Sequence, residues 1–128
     1  MRYFFTLLCV ILSWQLQAQK LLILGDSLSA GYGMQQQQGW VHLLQQQSAA
    51  KKLPFELVNA SISGETTAGG LARLPELLKQ HQPDIVLIEL GGNDGLRGFP
   101  IPTIEKNLLQ IIALIKAQQA KPVLMQIR

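Results

Sequence analysis

Four short apolar runs, separated by longer segments with helical spacing, limit this chain's fold more than any other feature of its sequence. Continuous apolar runs of this length indicate strands that are covered on both faces. Strands that alternate with helices favour an α/β fold, in which a parallel sheet lies between helices connected by right-handed crossovers. The predicted strands are residues 20–24, 55–59, 85–90 and 123–127.

The segments between these runs predict three helices. The first spans residues 40–52, and the second follows a cap at Thr66 or Thr67. Pro75 is expected to kink or restart that second helix, because proline cannot donate the backbone hydrogen bond of a helix interior. Thr103 is expected to cap a long third helix with one apolar face. In a sheet connected in this way, the functional site is expected at the carboxyl ends of the strands.

Length and composition exclude several classes of protein. The chain has 128 residues, which suits a single domain, and 48% of them are hydrophobic, which is enough for a packed core. Its formal net charge is +3, and the basic residues are scattered, so a nucleic-acid surface is not expected. The single cysteine, Cys9, excludes an internal disulfide and a paired-cysteine zinc site.

The first residues resemble an export signal. Arg2 is followed by an uncharged apolar stretch from Tyr3 to Trp14, and Ala18 offers a small residue at which a signal peptidase could cut. That stretch is shorter than the roughly 20 residues of a permanent membrane span. We therefore predict a signal peptide at 1–18, a mature domain at 19–128, and a periplasmic or secreted protein without a stable membrane anchor. A retained single anchor is the alternative.

Three of the predicted strands end in loops whose polar or glycine residues suggest chemistry. Ser27 follows the first strand, Gly64 lies in the loop after the second, and Asn93 follows the third by three residues. Taken singly, each has an ordinary explanation as a helix cap, a loop glycine or an Asn-Asp-Gly turn. Together, at one edge of a sheet, they supply a hydroxyl, a backbone donor and an amide donor. Acyl transfer requires this set.

The same three loops resemble the sequence blocks of the GDSL, or SGNH, hydrolase family. The similar segments are Gly25-Asp26-Ser27-Leu28, the Gly64 loop and Gly91-Gly92-Asn93-Asp94. The resemblance implies a flavodoxin-like, three-layer α/β/α sandwich that acts as a monomer. It also implies small-molecule acyl esters, thioesters or lysophospholipids as substrates, with neither a metal nor an organic cofactor.

The resemblance further implies a role for each matching residue. Ser27 would be the nucleophile and would also donate its backbone N–H to the oxyanion. The Gly64 N–H and the Asn93 side chain would be the other two donors. The remaining matches, which would hold the loops or complete the motifs, are Gly25, Asp26, Gly92 and Asp94.

One family block has no counterpart in these 128 residues. The D-x-x-H block, whose histidine takes the serine proton and whose aspartate orients that histidine, is absent. Neither His42 nor His81 stands in a context that fits the base. We therefore expect the chain to be a fragment that lacks the last strand and helix and is nearly inactive alone, because serine is a weak nucleophile without a base.

Three other functions remain open at this point. A secreted carbohydrate acetylesterase would use the same site, but the apolar loop at residues 96–102 suits an acyl chain better. A non-catalytic remnant would bind acyl groups or nothing. A flavin protein would share the order of strands, but no phosphate-binding loop follows the first strand.

Overall fold

A computed structural model describes residues 18–126 of the chain. The predicted signal segment, apart from Ala18, lies outside the described residues. Within 18–126, no helix is long and apolar enough to cross a membrane.

A four-stranded parallel sheet forms the centre of the fold, which confirms the predicted α/β class. The sheet order is β2-β1-β3-β4, so the first and third strands lie inside and are paired on both sides. Leu22, on the first strand, pairs with Val58 on one side and with Val86 on the other. The strands are β1 (Gln19–Gly25), β2 (Phe55–Asn59), β3 (Ile85–Glu89) and β4 (Lys121–Leu124).

Five α-helices connect these strands, and two of them are short. They are α1 (Ser27–Ala30), α2 (Trp40–Ala50), α3 (Thr67–His81), α4 (Gly92–Leu96) and α5 (Ile101–Ala117). The short helices α1 and α4 lie directly after β1 and β3, in the loops where the sequence places Ser27 and Asn93.

The main core lies on the sheet face that is covered by α3 and α5. Alternate strand residues point to this face, and Leu22 and Ile88 there are fully buried. Leu74 of α3 and Ile111 of α5 are buried against them. The helix α2 packs near the opposite face, where an apolar cavity of about 310 Å³ is lined by side chains that include Leu21, Leu44 and Leu57.

The structure corrects two helix predictions. The helix does not restart at Pro75, since α3 runs from Thr67 to His81 through it. Pro75 is exposed, so its ring is accommodated on the solvent side, and the helix loses only the backbone bond that proline cannot donate. Thr103 is not a cap: α5 begins at Ile101, Pro100 is its N-cap, and Pro102 lies in the first turn, where proline is well tolerated. The Thr103 N–H already bonds to the Pro100 carbonyl.

A glycine sets the distance between α3 and the sheet. A methyl group at Gly70 would lie 2.5 Å from Leu90 Cδ1 and 3.7 Å from Leu24 Cδ2. The first of these distances is a steric clash. The first turns of α3 can therefore approach the carboxyl ends of β1 and β3 closely because residue 70 has no side chain.

Candidate active site

The first loop presents Ser27 at the carboxyl edge of the sheet. Strand β1 ends at Gly25, Asp26 is the N-cap of α1, and Ser27 is the first residue of that helix. Asp26 Oδ1 accepts the Leu28 N–H at 3.0 Å, as expected of an N-cap carboxylate. Asp26 is buried, whereas Ser27 is partly exposed to solvent. The cap thus holds the serine where a substrate can reach it.

The second loop places Gly64 in a conformation that glycine adopts most readily. Its φ is +82°, in the left-handed region, and the residue is exposed. The Arg97 guanidinium donates to the Gly64 carbonyl at 3.2 Å. Because the carbonyl of Gly64 is held in this way, the peptide planes around it have a defined orientation. Arg97 was not singled out from the sequence, since no local pattern connects it to a loop 33 residues earlier.

An arginine of α3 braces the same loop from the other side. Arg73 Nε donates to Glu65 Oε2 at 2.7 Å, and Arg73 Nη2 donates to the Ala60 carbonyl at 2.9 Å. This is the ion pair found among residues 18–126. The loop that carries Gly64 is therefore fixed at both its beginning and its end.

The third loop connects the other two through Asn93. Gly91, with φ of +116°, turns the chain into α4. Asn93 Nδ2 donates to the Glu65 carbonyl at 2.9 Å and to Asp26 Oδ2 at 3.4 Å. One side-chain amide thereby contacts the residue that precedes Ser27 and the residue that follows Gly64. The Asn93 side chain therefore joins the loop that carries Ser27 to the loop that carries Gly64.

A buried aspartate anchors α4 to α3. Asp94 Oδ2 accepts the Thr67 N–H at 2.9 Å, and Asp94 Oδ1 accepts the Thr67 hydroxyl at 2.5 Å. Asn107 of α5 donates to the same Thr67 hydroxyl at 3.0 Å. Asp94 and Thr67 are both almost fully buried. The residue next to Asn93 is thus tied to two helices of the main core.

A second buried acid, Glu89, lies directly beneath the first loop. The Asp26 N–H donates to Glu89 Oε2 at 3.0 Å, and Glu89 is 1% exposed. Burial raises the pKa of Glu89 to about 7, and the nearby Asp26 carboxylate adds to the rise, while the hydrogen bond from the Asp26 N–H opposes it. The sequence analysis missed this residue. The available signal was a lone charged residue at the end of an otherwise apolar strand.

One protein family matches most of the chain. Residues 23–127 match the model of the GDSL-like lipase/acylhydrolase family. The chain belongs to this family.

Two curated relatives carry enzyme names. The chain is 59% identical, over 111 residues, to thioesterase 1/protease 1/lysophospholipase L1 of Escherichia coli, with 87% of this chain and 52% of that protein covered. It is 56% identical, over 111 residues, to an arylesterase of Vibrio mimicus, with 87% and 56% covered. The chain therefore spans little more than half the length of these relatives.

A solved relative shows the same fold. The psychrotrophic esterase EstA from Pseudoalteromonas, in a structure inhibited by monoethylphosphonate, superimposes with a TM-score of 0.83 at 52% identity. The match covers 85% of this chain and 60% of that one. The predicted sandwich class of the family is thereby confirmed.

Neither histidine takes part in the network around Ser27. His81 ends α3, next to the amino-terminal edge of the sheet, and lines a cavity there with Lys20 and Asp84. His42 lies in the first turn of α2, and no hydrogen bond joins it to Ser27 in the described part of the chain. Over the same span, no three metal-binding side chains are grouped as a metal site.

Large apolar side chains are exposed on the same three loops. Each of the three loops carries at least one such residue with a substantial exposed fraction: Leu28 is 58% exposed, Ile62 48% and Leu96 88%. Phe99, at the entrance to α5, is 42% exposed. Exposed apolar groups that gather beside polar loops are typical of binding surfaces.

Proposed function

We propose that this protein is a serine hydrolase that cleaves acyl esters and thioesters, with Ser27 as its nucleophile. The proposal depends mainly on one observation, the Asn93 amide that contacts both Asp26 and Glu65. That contact brings the hydroxyl-bearing loop, the Gly64 loop and an amide donor together. The donors assigned to the oxyanion are the backbone N–H groups of Ser27 and Gly64 and the Asn93 side chain.

In the proposed reaction, Ser27 Oγ attacks the acyl carbonyl carbon while its proton passes to a base. The carbonyl oxygen becomes an oxyanion, which the three N–H donors stabilise. Collapse of this intermediate releases the alcohol or thiol, which takes up the proton, and leaves an acyl-serine ester. Water then hydrolyses the ester and restores Ser27. We expect the base to be the histidine of the family's D-x-x-H block, which these 128 residues do not contain.

The hydrogen bonds of Asn93 suit the role of a donor that is already oriented. Its 2.9 Å bond to the Glu65 carbonyl fixes the amide plane. Its 3.4 Å contact with Asp26 Oδ2 is long for an N–H···O bond and hence weak. An oxyanion could replace that second acceptor at little cost, and the amide would not have to rotate. The oxyanion would accept a bond of ordinary length in place of this long contact, and such a bond is stronger.

The apolar rim supports an acyl chain as the preferred substrate group. Leu28, Ile62, Leu96 and Phe99 offer methyl groups and a ring beside the proposed oxyanion donors. The enzyme names of the two curated relatives are consistent with this choice. A carbohydrate acetylesterase is the second candidate, but a sugar ring would be better matched by polar side chains at this rim.

We also propose that the protein is exported and acts as a monomer on its small-molecule substrate. The support is the signal-like sequence before residue 19, which lies outside the described residues. N-terminal sequencing of protein recovered from the periplasm would give residue 19 as the first residue. Size-exclusion chromatography with light scattering would measure the oligomeric state.

The test uses the full-length gene product with a long-chain acyl thioester, p-nitrophenyl butyrate and an acetylated xylan oligosaccharide. We expect thioester and ester hydrolysis, and we expect Ser27→Ala to reduce kcat by about 10⁴-fold or more. Ser48→Ala is the matched control, because the Ser48 hydroxyl lies in α2 and bonds to the Leu53 carbonyl. A fluorophosphonate probe should label the parent and the control but not Ser27→Ala.

Two results would reject the proposal in different ways. Preference for the acetylated sugar would favour the second candidate, with the same nucleophile. Absence of both turnover and probe labelling in the full-length protein would leave a non-catalytic remnant.

A further inference from the structure

The buried acid Glu89 has few partners for an ionised carboxylate. The hydrogen bond it accepts from protein comes from the Asp26 N–H. The two arginines of the network are bonded elsewhere, Arg73 to Glu65 and Arg97 to the Gly64 carbonyl. Lys121 of β4 pairs with Ile85, at the opposite end of the strand from Glu89. A buried charge with so little compensation is unfavourable, so the neutral acid is the form that fits this position.

The same surroundings offer acceptors for a proton on Glu89. Asp26 lies next to Glu89, since its own N–H donates to Glu89 Oε2 at 3.0 Å, and its carboxylate adds to the rise in the pKa of Glu89. The Ser29 hydroxyl is buried on α1 and has no hydrogen-bond partner in residues 18–126, so it is free to accept a hydrogen bond. The Ser61 hydroxyl is likewise unpartnered over that span, and both hydroxyls border Gly25.

Glu89 is connected to the proposed reaction through Asp26. One oxygen of Asp26 caps the helix that begins at Ser27, and the other contacts the Asn93 amide. Glu89 holds the backbone N–H of the same residue. A displacement of Asp26 would therefore move the nucleophile and the amide donor together. A second negative charge at this point would also oppose the oxyanion that the donors stabilise.

We propose that Glu89 is a positioning residue that acts as a neutral acid: it accepts the Asp26 N–H and donates its own proton towards the Asp26 carboxylate. One shared negative charge, rather than two, then lies beneath Ser27 and Asn93. This inference rests on the proposed serine-hydrolase function. Other titratable groups on the surrounding elements are Asp94 on α4, which is bonded to Thr67, and Asp26 itself.

The test compares three variants of the full-length enzyme, with active sites counted by fluorophosphonate titration. Glu89→Gln keeps a carbonyl acceptor and an N–H donor, so it imitates the neutral acid and should keep kcat within about threefold, given the preserved geometry. Glu89→Leu removes both groups and should lower kcat per titrated site by roughly 10- to 100-fold with little change in KM, since it misplaces the reacting groups. Glu56→Gln, an exposed glutamate on β2, is the matched control and should behave as the parent.

A pH profile provides a readout that does not depend on the folding of Glu89→Leu. Between pH 5 and pH 9 the parent can lose the proton of residue 89, whereas glutamine cannot. The ratio of kcat for Glu89→Gln to kcat for the parent should therefore rise with pH.

Several results would overturn the proposal. It fails if Glu89→Leu retains the parent kcat per active site, or if Glu89→Gln is as impaired as the leucine variant, because a charge would then be required. A flat or falling kcat ratio would also overturn it. If Ser27→Ala remains active, the proposed function itself is wrong, whatever the glutamate variants show.

Discussion

Acidic residues at the two edges of the sheet differ in their exposure to solvent. At the carboxyl edge, Asp26, Glu89 and Asp94 are each at most 3% exposed. At the amino edge, Asp84 is exposed, and its carboxylate accepts the Lys20 N–H at 2.8 Å. All four acids connect neighbouring segments of the chain. The three at the carboxyl edge are removed from water, whereas Asp84 remains in contact with it.

The difference in exposure between the two edges bears on function as well as on stability. Removing a carboxylate from water is unfavourable, and a turn between a helix and a strand can be held equally well by an exposed aspartate. The amino edge shows that simpler solution. Three buried acids at one edge therefore indicate that the positions of Ser27 and Asn93 matter more there than the free energy of unfolding alone.

The largest expected effect at the carboxyl edge is the loss of kcat on substitution of Asn93. We predict that Asn93→Ala lowers kcat of the full-length enzyme by about 10²- to 10³-fold, because one oxyanion donor is lost. Steady-state kinetics with an acyl thioester would measure this loss. The control is Asn59→Ala, which removes a bond to the Ser29 carbonyl but no proposed donor. Equal losses in the two variants would mean that Asn93 only supports the loop.

The next effect compares one buried acid with one exposed acid. Asp94→Asn should lower the free energy of unfolding by about 2 kcal/mol, since an amide cannot accept both of the Thr67 hydrogen bonds. Asp84→Asn should change it by no more than about 0.5 kcal/mol, because the group is exposed. Urea unfolding of both variants gives the two values. Similar values for both would remove the distinction between the edges.

The smallest effect is the pH dependence that Glu89 adds to stability. Its pKa is raised from 4.5 to about 7 by folding, so the native state binds this proton more tightly than the unfolded chain. The contribution of Glu89 is fully present below pH 4.5 and is lost as the pH rises through about 7.

Unfolding experiments at a series of pH values would measure this contribution as a difference between the parent and Glu89→Gln. We expect the parent to lose stability relative to the variant between pH 4.5 and about pH 7. Parallel curves for the two proteins would show that Glu89 titrates alike in both states.

The sequence predicted the sheet and the three loops well, for a physical reason. Strands that are buried on both faces must be apolar throughout, so β1 and β3 are visible as runs of leucine, isoleucine and valine. The helix boundaries were harder to predict. Pro75 and Thr103 carry local preferences that the structure overrides: α3 continues through the exposed Pro75, and α5 begins at Ile101, two residues before Thr103.

The partners of the site residues were beyond sequence reasoning alone. The contacts of Arg97 with Gly64, and of Glu89 with Asp26, join residues that are 33 and 63 positions apart. Such pairs are created by the order of strands in the sheet rather than by any local pattern. Among these partners, only Glu89 could be noticed in the sequence, as a charged residue at the end of an otherwise apolar strand.

The close approach of α3 to the sheet at Gly70 has a consequence for how this protein can vary. Thr67, which holds Asp94, lies one turn before Gly70 on the same helix. An alanine at position 70 would push that helix outward from Leu90 and carry the anchor of the third loop with it. One added methyl group, away from the proposed nucleophile, would thus reduce turnover. A screen for lost activity would identify this substitution together with those of the active-site residues themselves.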